Sequence, residues 1–430
     1  VKDVTTHTAF QNGVRSLAAL YDQQHDPVIK DSMTFESPSS GDPVGLSFLI
    51  PKTIDDLVKR REMMTNWAWE SCGMMARTPD FLNNAVSGWA GSSDYFLDNR
   101  PEFKDNVLRY HEHIRENDLT LTHTLVNLQR SRNAAVVDNI EEQVALTVVK
   151  ETDAGIVVHG SRILATLGPI SDEIAVYPTR THILGKDAWR QAFSFALPCA
   201  TPGMKFMCRE SLDLGRSSFD HPLGARFEEM DALVFFDNVL VPWERVFLLG
   251  DVDMCNDYAA ATHSTSHTGQ QVVNRTVVKT EFILGLASLM AETLGSTEVP
   301  HVQERIGEIV IYLETLKACV RAAEADATLN KWGVMCPAQG PLVAGRHLYS
   351  RTIYPRLAEI VQLLGSSSLM ALPTEADFNT PVGPELERYL ATDSTGAKDR
   401  VRLFHLAWDV ACSAFGGRQV LYERFFGGDP

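Results

Sequence analysis

Apolar and polar positions along the chain change their period twice. From Pro51 to about Asn117 the spacing is helical. In TIDDLVKRREMMTNWAWESCGMM, Ile54, Leu57, Met63, Met64 and Trp67 fall near one face, with Thr53 as N-cap before Asp55 and Asp56. From about Asp118 the pattern shortens to β-branched runs: QVALTVVKE, GIVVHGSRILATL, EIAVYPT and ALVFFDNVLVPWERVFLL. Turn signals punctuate them, such as TDAG at 152–155, GPISD at 168–172 and DHPLG at 220–224. After Asp251 the helical period returns, and Ile306, Ile309, Leu313, Leu316, Val320 and Ala323 form one stripe on a long helix. Similar stripes run through 276–294, 344–370 and 397–426. The expectation is an α+β chain: a helical domain over 1–119, a β barrel or sandwich over 120–248 and a helical bundle of four-helix type over 249–430.

Composition narrows the function classes. The formal charge of −16 disfavours a nucleic-acid or anionic-membrane partner. The seven cysteines include no C-x-x-C pair, so neither a disulfide framework nor a zinc ribbon is indicated, and a reducing, cytoplasmic compartment is expected. No apolar run approaches the roughly 20 residues of a membrane span, and the N-terminus has no signal-peptide apolar core.

The common nucleotide, zinc-protease and serine-hydrolase motifs are absent. His263 and His267 have a metal-like i, i+4 spacing but no acidic third ligand nearby, and are read as polar loop or helix-start residues rather than ligands. His111-Glu112-His113 is read as a solvated helix face. The stretch HTLVNLQRSRN sets Thr122-His123 and two arginines, Arg130 and Arg132, at the mouth of strand material. Taken alone, these residues fit an interdomain histidine and surface ion pairs as well as an anion or ring site.

Longer segments decide between those readings. ARTPDF (76–81), NDLTLTHTLVN (117–127), ETDAGIVVHGSRILATLGPISDEIAVYP (151–178), the block from Cys208 to Val252, VKTEFILGLA (278–287) and SAFGGRQVLYERFFGGD (413–429) resemble, in order, the 4-hydroxyphenylacetate 3-monooxygenase family. These are the oxygenase components of two-component phenol hydroxylases that use FADH2. The start of the chain resembles family sequence with its first few tens of residues missing. The resemblance implies an acyl-CoA-dehydrogenase-like fold and a homotetramer or homodimer.

It also implies roles. Arg77 and His123 would be catalytic and bind the phenol together with Phe81, Pro178 and Thr179. The flavin would meet His123, Thr124, Val126, Gln129, Arg130, Arg132 and Thr166, together with Gly416, Gly417 and Arg418 of the same or a neighbouring subunit. A guanidinium stays charged at working pH, so Arg77 would favour phenolate over phenol and activate the adjacent ring carbon. Many members carry tyrosine where this chain has Phe81, which removes a hydroxyl from the phenol site and leaves the substrate open: phenol, a halogenated or nitrated phenol, 4-hydroxyphenylacetate or a carrier-tethered ring. The implied reaction is hydroxylation ortho to the phenolic oxygen by a flavin C4a-hydroperoxide, with O2 as co-substrate and a separate NAD(P)H:flavin reductase supplying FADH2. The segment 200–221, rich in Gly, Ser and Pro, is expected to act as a lid. Two rivals share the fold: a lyase like 4-hydroxybutyryl-CoA dehydratase, which needs three Cys and one His for its iron–sulfur cluster, and a flavin-free scaffold.

Overall fold

The computed structural model describes residues 1–128, 144–178, 184–213 and 215–426. The chain begins with helices α1 (Gln11–Asp22), α2 (Ile54–Glu70), α3 (Asp80–Gly91) and α4 (Pro101–Glu116). A small antiparallel ladder pairs Thr34–Glu36 with Pro43–Gly45 between α1 and α2. Helix α2 starts where a reciprocal cap allows: the Asp56 amide donates to the Thr53 hydroxyl at 3.1 Å, and the Thr53 amide to the Asp56 carboxylate at 2.9 Å. Leu57, Met63, Met64 and Trp67 are buried as the spacing predicts. Ile54 is 42% exposed, because as the first residue of the helix it lies beyond the packed turns.

Helix α4 corrects one expectation. Glu112 and His113 are exposed, but His111 is buried, its Nε2 lying 3.1 Å from the Phe48 carbonyl and 3.2 Å from the Ser87 hydroxyl. Burial and the neighbouring Arg115 push its pKa down to about 4, so it is a neutral bridge between α4, α3 and the turn at Phe48 rather than a solvated residue.

Nine strands follow among the described residues: β1 (Leu121–Thr124), β2 (Val126–Asn127), β3 (Thr147–Thr152), β4 (Gly155–Thr166), β5 (Glu173–Val176), β6 (Phe193–Pro198), β7 (Met204–Cys208), β8 (Asp231–Pro242) and β9 (Val246–Leu249). One antiparallel sheet runs β2-β4-β8-β7, with β3 also on β4. The other runs β9-β6-β5-β1, and only its β1–β5 pair is parallel. Along β8 the buried side chains alternate as Ala232, Val234 and Phe236, then shift at an irregularity to Val239 and Val241. Phe236 meets Phe195 of β6 edge-on at 6.4 Å, joining the two sheets.

The rest is helical apart from a short antiparallel pair, Thr328–Leu329 with Met335–Cys336: α5 (Val252–Ala261), α6 (Ser264–Thr293), α7 (Pro300–Ala325), α8 (Gln339–Leu348), α9 (Tyr354–Gly365), α10 (Gly383–Leu390), α11 (Ala397–Ala411) and α12 (Ala414–Phe426). Helix α6 is buried on nearly every side from Gly269 to Thr280, since it packs against α2 and α3 as well as α7 and α8. One core therefore joins α3, α4, both sheets and Val272 of α6, while a second fills the bundle and receives Met74, Met75 and Leu167.

Candidate active site

Arg77 sits in the link between α2 and α3. That link lies close on α6, where Gly73 has a φ of +69° and a Cβ would come within 2.7 Å of the Lys279 Cβ. The Arg275 guanidinium of α6 donates to the Gly73 carbonyl at 2.9 Å. One oxygen of buried Glu229 accepts both the Ala76 and Arg77 amides, at 2.6 and 2.7 Å. The backbone before α3 is thus fixed, and the Arg77 side chain projects from a rigid mount.

Its guanidinium carbon lies 4.1 Å from the centre of the Phe81 ring, in the first turn of α3, and 3.5 Å from that of Phe426 on α12. Nη1 is buried without a hydrogen-bond partner among the described residues. His123 of β1 stacks on Phe81 at 5.4 Å, and Tyr177 lies 5.8 Å from His123. Burial, then the charge of Arg77, holds the His123 pKa well below its usual value, so the imidazole is neutral. Burial draws Arg77 itself below its ordinary value, although Tyr422 and Tyr177 act the other way.

Helix α12 reaches this point through buried charges. Glu423 accepts from Arg275 at 2.7 and 2.8 Å and from Lys279 at 2.8 Å. Burial alone would raise the Glu423 carboxyl, yet the two cations bring it down to about 2. Gln419 takes the other end of the network, accepting from Lys279 at 2.6 Å and donating to the Met74 carbonyl at 3.1 Å. Tyr422 and Phe426, four residues apart on the same helix face, are presented to Arg77 as a result.

These groups line one end of a cavity of about 510 Å³, within the usual range for small-molecule sites. The remaining wall comes from Leu125, Val126 and Asn127 at the β1–β2 edge, Ile163, Leu164 and Thr166 at the end of β4, the first turns of α6, and α8 from Gln339 to Arg346. Of the expected site residues, the cavity gathers Arg77, Phe81, His123, Val126, Thr166 and Pro178. Phe81 is both a core residue at 8% exposure and a wall of the cavity.

Other expected residues lie elsewhere. Thr124 is fully buried but follows His123 on the strand and so points to the opposite side of the sheet. Gly416 is packed on the backbone of α11, where a Cβ would meet the Val410 carbonyl oxygen at 2.6 Å, and Gly417 is exposed. Arg418 is not at the cavity of its own chain, because its guanidinium is held by Glu229 at 3.0 Å and Asp231 at 2.7 and 2.9 Å. Gln129, Arg130, Arg132 and Thr179 lie outside the described residues. The described residues of the segment 200–221 contribute nothing to the cavity wall: they hold β7, paired to β8, and a turn whose Ser217 hydroxyl donates to Glu375 at 3.0 Å. His263 precedes α6, while His267 is buried with Arg60 3.4 Å from Nδ1 and the Cys336 sulfur 3.8 Å from Nε2.

Sequence patterns alone passed over Tyr177, Tyr422, Phe426, Asn127 and Thr268. Only the Tyr422/Phe426 pair carried a signal, an i, i+4 aromatic repeat close after Arg418.

The cavity is suited to an aromatic ligand with polar edges. Its wall is mostly apolar, yet Arg77 Nη1, Tyr422 Oη and Asn127 Oδ1 are all buried there with no hydrogen-bond partner among the described residues. Buried orphans of this kind are the groups a polar-edged ligand satisfies.

Comparison with known proteins agrees. Over its whole length the chain is similar to the oxygenase component of 4-hydroxyphenylacetate 3-monooxygenase from Thermus thermophilus, at 48% identity and 87% of that protein's length. A protein of the same description from Geobacillus sp. is 46% identical with the same coverage. A crystal structure of such an oxygenase component, in complex with FAD and 4-hydroxyphenylacetate, superposes with a TM-score of 0.95 over 100% of this chain and 88% of that one. An archaeal 4-hydroxybutyryl-CoA dehydratase (19% identity, TM-score 0.89) and a butyryl-CoA dehydrogenase from Megasphaera elsdenii (13%, 0.51) share the fold alone. Residues 1–248 match the family described as 4-hydroxyphenylacetate 3-hydroxylase N terminal, and residues 255–430 its C-terminal counterpart. The chain belongs to the 4-hydroxyphenylacetate 3-hydroxylase family, FAD-dependent monooxygenases acting on aromatic substrates.

Proposed function

We propose that this chain hydroxylates a phenol ortho to its hydroxyl, with the phenolic oxygen on Arg77 and the ring between Phe81, His123 and Tyr177. The observation that carries this is Nη1 of Arg77, buried at the aromatic end of the cavity and without a hydrogen-bond partner among the described residues. Reduced FAD, when bound along Val126 and Thr166, supplies the activated oxygen. Arg77 favours the phenolate and so raises electron density at the ring carbon next to the oxygen. His123 is neutral because burial, and then the charge of Arg77, depress its pKa, so its imidazole can meet the phenolic hydroxyl as a hydrogen-bond acceptor. Phe81, Tyr177, Tyr422 and Phe426 keep water from the reacting atoms.

The same reading includes a separate NAD(P)H:flavin reductase, a homotetrameric or homodimeric assembly, and the division into 1–119, 120–248 and 249–430, since the cavity takes residues from each part. Seven free thiols support a reducing, cytoplasmic compartment. Among the described residues, no helix is long and apolar enough to cross a membrane.

The test is product analysis with FADH2 supplied by a reductase, over a panel including 4-hydroxyphenylacetate, phenol, and halogenated and nitrated phenols. A catechol product with no NADH oxidation by the chain alone is expected. NADH-dependent hydroxylation without any reductase, or no product from any phenol, would overturn the proposal.

A further inference from the structure

Thr166 lines the cavity, and its hydroxyl donates to Asp231 Oδ1 at 2.8 Å. The direction of that bond is fixed by what surrounds Asp231. Arg418 donates to both of its oxygens, at 2.7 and 2.9 Å, and Arg209 donates to Oδ2 at 3.0 Å. A carboxylate gripped by two guanidinium groups remains ionised and can only accept hydrogen bonds. The Thr166 proton is therefore committed to Asp231, and what the hydroxyl can offer the cavity is a lone pair. The backbone adds rigidity, since the Thr122 hydroxyl donates to the Thr166 carbonyl at 2.7 Å.

We infer that Asp231 and Arg418 are positioning residues that make Thr166 an obligate acceptor toward the cavity, and that this selects the reduced over the oxidised state of the flavin. The inference rests on the flavin reading above and extends it. Two-electron reduction of an isoalloxazine converts a central-ring nitrogen from an acceptor into an N–H donor. A lone pair facing the ring is matched by that N–H and opposed by the bare nitrogen of the oxidised form. Arg418 acts on the flavin site in this way without lining the cavity.

The experiment is equilibrium binding of FAD in air and of FADH2 under anaerobic conditions, to wild type, Thr166→Val, Thr166→Ser and Asp231→Asn. The readout is the ratio of the two dissociation constants, which a purely structural role would not move. Wild type should prefer FADH2. Thr166→Val and Asp231→Asn should reduce that preference by about two- to tenfold, the worth of one hydrogen bond, while Thr166→Ser retains it. Valine is close in shape to threonine, so that variant keeps the test decisive if Asp231→Asn fails to fold. An unchanged ratio in Thr166→Val would overturn the inference alone. A wild-type protein that binds neither form would overturn the flavin reading as well.

Discussion

The guanidinium carbon of Arg77 stands 3.5 Å from the ring centre of Phe426, so a cation from the α2–α3 link is closed over by the last described residue of α12. Cation–π contact orients the guanidinium without consuming its N–H groups, which is why Nη1 can be rigid and still lack a partner. A positive charge that is buried, oriented and, among the described residues, without a partner at Nη1 suits the anionic oxygen of the proposed substrate.

Removing that charge should show as lost turnover. Arg77→Ala deletes a charge-assisted hydrogen bond worth roughly 1.5–3 kcal/mol, so hydroxylation should fall by about one to two orders of magnitude. The loss should be partly recovered at alkaline pH, where the phenol ionises unaided. Arg77→Lys keeps the charge without the planar fork and should recover only part of the rate. Steady-state rates across pH 6–9 check this, and turnover undiminished in Arg77→Ala would assign Arg77 a structural role.

The tail helix should contribute to substrate retention and coupling. Phe426→Ala removes a cation–π partner worth about 0.5–2 kcal/mol, so KM for the phenol should rise about two- to thirtyfold. The opened wall should also release more H2O2 per catechol formed. Phe426→Leu keeps the cover and loses the ring face, so it should raise KM while leaving coupling near wild type. Simultaneous assay of H2O2 and product separates the two effects.

How much of this was legible in the sequence differs residue by residue. Leu57, Met63 and Trp67 announced their buried face because helix periodicity is local, and the capping box at Thr53 needs only four consecutive residues. Arg77 and Thr166 were identified only through family resemblance, and His123, singled out by its place in HTLVNLQRSRN, took a role only through it, since nothing local distinguishes a cavity side chain from a surface one. Arg418 lies off the cavity of its own chain for a reason that the sequence hides: its partners Glu229 and Asp231 lie almost two hundred positions upstream. Position in a motif could not show that its charge is already engaged. His111 was misread because a carbonyl from Phe48, distant in sequence, decides its burial.

Substituting Phe81 tests the departure from the family pattern. Phe81→Tyr places a hydroxyl at the ring that faces Arg77 and His123, and one more hydrogen bond to a phenolic oxygen is worth about 0.5–1.5 kcal/mol. KM should fall by about two- to tenfold for phenols small enough to leave room for the added oxygen, and should rise for bulkier ortho-substituted ones. A uniform change across the phenol panel would show that Phe81 acts through packing alone.

Asp80 predicts a pH dependence of stability with a definite sign. The carboxylate is 1% exposed, and burial pushes its pKa up to about 6 from an ordinary 3.8, against the hydrogen bonds it accepts from Thr78 and Gln271. The folded state thus binds this proton more tightly than the unfolded state. At neutral pH both states are ionised and the fold carries the full desolvation cost, at most ~3 kcal/mol. As pH falls from about 6 toward 3.8 the folded state takes up the proton first, and the cost is progressively relieved. Asp80→Asn removes the titration, so the variant's stability relative to wild type should be highest near neutrality and should decline steadily below about pH 6. His111 acts in the opposite sense: its folded pKa of about 4 lies below the ordinary 6.5, so stability is lost as pH falls through that interval. Because His111 is common to both proteins, it cancels in the difference. Urea midpoints for the pair at about pH 7.5 and 4.5 measure the effect, and a difference that does not change between them would mean that the Asp80 carboxyl is solvated and its pKa is not raised in the fold.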